Sequence, residues 1–140
     1  MKLGVMQGRL VEPVNGHIQQ FPERDWALEF QRLDELDLNH VEWLVTKEYF
    51  LSNPLMDIHC DLQSYSISSI CADNLVDIKI DSEAFLLENL LPICKAALRN
   101  KIDNITIPLL EDSNLNDEQK RKNFIVAITK ITKHFPTLNF

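Results

Sequence analysis

The sequence predicts an α/β fold built on a parallel sheet. Three observations carry this. Short apolar runs alternate with segments of helical periodicity, the runs recur at even intervals, and the loops after them are longer than the returns. The runs begin near residues 2, 40, 67, 102 and 137, at intervals of 38, 27, 35 and 35 residues. Each interval holds a strand, a helix and two loops. Strands joined by helices cross over right-handed and lie parallel.

Each element has its own signal. Residues 2–6 are short and apolar and read as the first strand. Trp26, Phe30 and Leu33 recur at helical spacing, which predicts a helix over 25–36 with Asp25 as its N-cap. Residues 40–45 read as the second strand. Asn53-Pro54 has the form of a helix start, with Leu55, Ile58, His59 and Leu62 on one face of that helix. Residues 67–71 read as the third strand, and Ser82 opens a helical region to about Arg99 that Pro92 is expected to divide. The fourth strand is predicted over 102–108. The clearest helix is 116–134, where Phe124, Ile128, Ile131 and Phe135 follow a +4, +3, +4 pattern. Residues 137–140 have the character of the start of a fifth strand.

Loop lengths point to the functional end. The loops after the first four strands have 18, 8, 10 and 7 residues, whereas two of the returns have 3 and 2. In barrels and open α/β sheets alike, ligands bind where parallel strands end.

Composition narrows the classes. The chain has 140 residues, 45% hydrophobic and 25% charged, which suits one globular domain over 1–140. No apolar run reaches membrane-spanning length, and Gln7 and Arg9 interrupt the N-terminal run too soon for a secretory leader, so a cytoplasmic protein is expected. Fourteen basic residues against 21 acidic give a formal charge of −7, which disfavours binding to a nucleic-acid backbone. Lys120, Arg121 and Lys122 read as a solvated helix face. Cys60, Cys71 and Cys94 are odd in number and lack a CxxC spacing, so reduced thiols are expected, with Cys60 and Cys94 as buried packing residues. His17, His40, His59 and His134 have no metal-like spacing.

Four clusters at strand ends could do chemistry. In Gln7-Gly8-Arg9, Gly8 permits a sharp turn, and Gln7 and Arg9 are polar forks for hydroxyl, carboxylate or phosphate; on residue types alone an ordinary turn with exposed side chains fits slightly better. The Pro13-Val14-Asn15-Gly16 stretch beyond looks like a hairpin tip in a loop able to cover a site. Glu42 lies inside an apolar strand, where an unpaired carboxylate is costly, so it needs a structural partner or a ligand. Trp43 reads either as core or as an aromatic wall under a sugar. Ser68, Ser69, Cys71 and Asp73 form a polar strand end, in which Cys71 has no histidine placed to activate it. Pro108, Glu111, Asp112 and Ser113 read as helix caps.

The run Lys2-Leu3-Gly4-Val5-Met6-Gln7-Gly8-Arg9-Leu10, with Pro13 to Gly16 and Phe21-Pro22 following, resembles the N-terminus of the sugar phosphate isomerase/epimerase family. That family belongs to the xylose isomerase-like TIM barrel superfamily. Val41-Glu42-Trp43, Ser68 to Asp73 and Ile105 to Pro108 resemble the ends of its second, third and fourth strands.

The resemblance implies a partial (β/α) barrel: four βα units and the start of a fifth strand, out of eight in about 250 residues. It implies a metal-dependent isomerase or epimerase acting on a carbohydrate, with a sugar or sugar phosphate as partner. Gln7, Arg9, Glu42, Trp43, Cys71 and Asp73 would then line the substrate side. The family's divalent metal (Mn, Mg, Zn or Co) sits on strands five to eight, so this chain alone is expected to be inactive and to hold no tight metal site. It is also expected to associate, as a homodimer or with a complementing C-terminal half, through free strand edges flanking an apolar inner face, with Leu3, Val5, Ile105 and Ile107 including residues that face either the missing half or the outer helices. Two alternatives are a non-catalytic half-barrel subunit and a complete flavodoxin-like domain binding a small ligand. The latter would have strand order 2-1-3-4-5 rather than sequential order, and the first loop lacks a glycine-rich phosphate motif.

Overall fold

The computed structural model describes residues 2–76, 78 and 82–140. Strand β1 (Gly4–Met6) leads through a long loop to helix α1 (Trp26–Glu35) and strand β2 (His40–Leu44). Strand β3 (Ile67–Cys71), helix α2 (Glu83–Asn100), strand β4 (Ile105–Thr106) and helix α3 (Glu118–His134) follow. The four strands form one parallel sheet in the order β1-β2-β3-β4. That is the expected sequential order, not the flavodoxin one. Among the described residues no helix is long and apolar enough to cross a membrane.

Strand alternation sorts the side chains onto two faces. Val5 pairs with Val41, and Trp43 with Ile70 and through it Ile105. This face packs against the helices: Val41, Trp43 and Ile70 are fully buried, together with Leu86, Leu90 and Ile93 of α2 and Ile131 of α3. The other, inner face carries Gly4, Met6, His40, Glu42, Leu44, Ser69, Cys71 and Thr106. It is mainly polar at its open end. The expected apolar inner face is therefore corrected, because Val5 and Ile105 belong to the helix-side core.

Several elements differ from expectation. No α-helix forms after Asn53; the chain makes turns there, with Ile58 and His59 exposed. The Asn53 carboxamide is spent on tertiary bonds instead, accepting from Trp43 Nε1 at 2.9 Å and donating to the Leu44 carbonyl at 3.0 Å. Asp57 and Asp61 then each accept from a backbone N–H two residues on, a local alternative to helix.

Pro92 does not divide α2, which runs unbroken to Asn100. An interior proline costs about 3 kcal/mol, whereas each fully buried leucine or isoleucine gains about 1.5–3 kcal/mol. Leu86, Leu90 and Ile93 outweigh it. Ser82 does cap α2, its side chain accepting from the Phe85 N–H at 3.1 Å. Asp25 precedes α1 but makes no side-chain cap bond.

The fourth strand is shorter than expected, two residues rather than seven. Beyond α3, Asn139 bridges Asn104 in parallel. The Ile105 N–H donates to the Asn139 carbonyl at 2.9 Å, so the last residues begin to pair beside β4.

Candidate functional site

The inner face brings Glu42 to the centre of the sheet. Its neighbours in register are Met6 on β1 and Ser69 on β3. Glu42 Oε1 accepts from the Ser69 hydroxyl at 3.2 Å and from the Thr106 hydroxyl at 2.9 Å, so one oxygen is held from two strands. Oε2 takes no hydrogen bond from the described residues. The carboxylate is half-buried beside an open cavity of about 250 Å³ lined by Gly4, Met6, His40, Glu42, Ser68 and Ser69, with Val5 at its edge. Ligand pockets usually enclose about 300–1,000 Å³, so this is one wall of a site rather than a closed pocket.

His40 shares that wall, two residues before Glu42. Its imidazole lies over Gly4, where an added Cβ would stand 2.1 Å from the ring. Glycine at position 4 therefore lets a histidine lie flat across β1.

Cys71 sits one step further along the same face and is buried. Burial first, then the charges of Glu42 and Asp73, push its thiol up to about 12. A buried thiol raised in this way is a poor nucleophile at neutral pH.

The loop after β1 links three of the expected residues. The Arg9 guanidinium donates to the Ile18 carbonyl and, through Nη2, to Gln19 Oε1 at 3.1 Å. Gln19 Nε2 donates in turn to Asp73 Oδ1 at 3.3 Å. Arg9 and Asp73, on the loops after β1 and β3, are thus joined through Gln19. The root of this loop is held from α1: the buried Glu29 accepts from the Gly8 N–H at 2.7 Å and the Leu10 N–H at 3.2 Å. Desolvation lifts the Glu29 carboxyl above the usual range, against the lowering effect of those bonds.

The sequence-selected residues therefore separate. Glu42, Cys71 and Asp73 come together on the inner face and its upper end, with Arg9 tied to them by Gln19. Gln7 is fully buried, and its Oε1 accepts from the Leu44 N–H at 3.0 Å, prolonging the β1–β2 ladder where β1 turns away. Trp43 points to the helix side, packed at 5.7 Å from Phe21 and 5.5 Å from Trp26 between ring centroids. Glu111, Asp112 and Ser113 form a 3₁₀ turn, where the Ser113 hydroxyl donates to the Pro108 and Leu110 carbonyls.

His40, Thr106, Gln19 and Glu29 were not singled out as site residues by the sequence reading. For His40 the signal was present: it stands at i−2 from Glu42 and shares its face. Gln19 and Glu29 act across about twenty or more residues of chain, which no local pattern reports.

Further polar groups gather at the same end. Gln7 Nε2, Thr46 Oγ1 and both amide atoms of Asn74 are buried without a hydrogen-bond partner among the described residues. They follow β1, β2 and β3 respectively. Each such group costs about 1–3 kcal/mol when unpaired.

Among the described residues no group of three or more His, Cys, Asp or Glu is arranged to hold a metal ion. No protein-family model matches the chain, and no curated protein matches it.

Proposed function

We propose that this chain is the first half of a (β/α) barrel of the sugar phosphate isomerase/epimerase kind, working on a carbohydrate in the cytoplasm. The observation that carries the reading is Glu42: a carboxylate at the centre of a polar inner face, with Oε1 anchored by Ser69 and Thr106 and Oε2 left open. Two hydroxyl donors on one oxygen fix the orientation of the other. Glu42 is half-buried beside the open cavity, so its second oxygen is available to a ligand that enters there. Sequential strand order and the pairing of Asn139 beside β4 support a barrel rather than an open doubly wound sheet.

In this reading Glu42 Oε2 accepts from a sugar hydroxyl, or takes a proton from the carbon next to a carbonyl. His40 forms the floor of the same wall. A divalent metal would polarise the sugar oxygens in a complete barrel, and the residues of this chain contribute orientation and not metal binding. The non-catalytic half-barrel subunit differs only in lacking turnover once completed.

The test is solvent-proton exchange. The chain, alone and mixed with strands five to eight of a xylose isomerase-like barrel, is incubated with ketoses and ketose phosphates in deuterated water with manganese. Deuterium should enter the carbon next to the carbonyl only in the mixture. Exchange by the chain alone would overturn the half-barrel reading, and none in a verified complex would favour the non-catalytic subunit.

A further inference from the structure

The loop after β1 leaves the sheet at Gly8 and folds back across it. Gly8 has φ +87°, and a Cβ there would meet the Gln20 carbonyl oxygen at 2.8 Å, so the outgoing and returning limbs touch. The two limbs are held differently. The root is fixed to α1 by the buried Glu29 and by Arg32, which donates to the Leu10 carbonyl. The returning limb, residues 18–20, is exposed or half-buried and is tied to the β3 side by the Gln19–Asp73 bond.

What lies at that end of the sheet is unusually well covered. Leu44 and Cys71 are on the inner face, yet they are 0% and 3% exposed. Glu42 and Ser69 on the same face are half-buried, and Thr106 is exposed. The three helices pack on the opposite face, and the bond from Gln19 to Asp73, two residues beyond Cys71, sets the returning limb beside this end.

We propose that residues 18–20 form a latched strap over the Cys71 end of the inner face. It is fixed at its β1 root and released by breaking the Gln19–Asp73 hydrogen bond. Opening it uncovers Cys71 and the strand ends beside it. This rests on the inner face being the ligand side, but the strap itself is testable without a ligand.

The cysteines are the probes. Cys71 and Cys94 are both buried and burial raises both thiols, so labelling of either one requires an opening that exposes it. Cys94 is fully buried in α2 and reports global unfolding. Iodoacetamide labelling of the 140-residue chain, resolved by peptide mass spectrometry, should show Cys71 reacting faster than Cys94. Gln19→Ala should raise the Cys71 rate about fivefold, as expected for losing one exposed hydrogen bond that controls a local opening, with Cys94 unchanged. Two results would overturn the latch: a Cys71 rate indifferent to Gln19→Ala, or Cys71 and Cys94 rates rising together. Labelling and solvent-proton exchange are separate readouts, so failure of one leaves the other standing.

Discussion

Glu29 shows how a buried charge can serve a loop. Its Oε1 holds the Gly8 and Leu10 amides, while Oε2 is buried without a partner among the described residues. Burial raises its pKa, so the folded chain holds the Glu29 proton more tightly than the unfolded chain does. Between the unfolded value and the raised folded value, the native state carries more protons, and stability falls as pH rises through that window. Glu29→Gln keeps an oxygen for both amides and removes the ionisation. Urea midpoints from about pH 4 to about pH 8 should fall less steeply for the variant. Parallel curves for the two proteins would contradict this role. Sequence alone could not single out Glu29, because a glutamate on a helix near Phe30 and Leu33 has the pattern of any amphipathic turn.

At the scale of elements, strands were legible because their apolar runs are short and bounded. The third strand falls at residues 67–71 as expected. Two errors share a cause: local signals were outvoted by tertiary contacts. Asn53-Pro54 has helix-start chemistry, but its carboxamide bonds Trp43 and Leu44, which lie on a neighbouring strand. Pro92 is a helix breaker held inside a helix by the core. Because that core sets the helix, removing the proline should help: Pro92→Ala restores a backbone donor and should stabilise the fold by about 1–3 kcal/mol. Urea denaturation with an unchanged slope would read this, and a lowered midpoint would show that the Pro92 ring contributes packing that outweighs the missing bond. Thr106 as a partner of Glu42 was out of reach for sequence reasoning, since the hydroxyl comes from a strand 64 residues away.

At the scale of the whole molecule, the sheet has one face covered by helices and one polar face left open. β1 stands at an edge with no strand beyond it, while Asn139 lies against β4. Leu3 and Phe140, near these two sides, are 49% and 41% exposed. Unpaired strand edges invite pairing with another chain. Sedimentation velocity should therefore show concentration-dependent association, and a monomer at every concentration would mean that the edges are protected. The sheet order was legible from strand spacing. The polarity of the inner face was not, because it depends on which residue of each strand faces the helices, and a shift of one residue exchanges the two faces.

The central claim is that Glu42 faces a ligand rather than serving the fold. Glu42→Gln tests it most directly when turnover and stability are measured on the same preparation, assembled with the complementing half. Gln keeps an oxygen for Ser69 and Thr106 but cannot take a proton. The account predicts deuterium exchange into the sugar reduced at least about a hundredfold, the scale of a lost general base, with the urea midpoint of the chain unchanged. Unchanged exchange with unchanged stability would remove Glu42 from the site, and a loss of stability in step with activity would make it a structural residue.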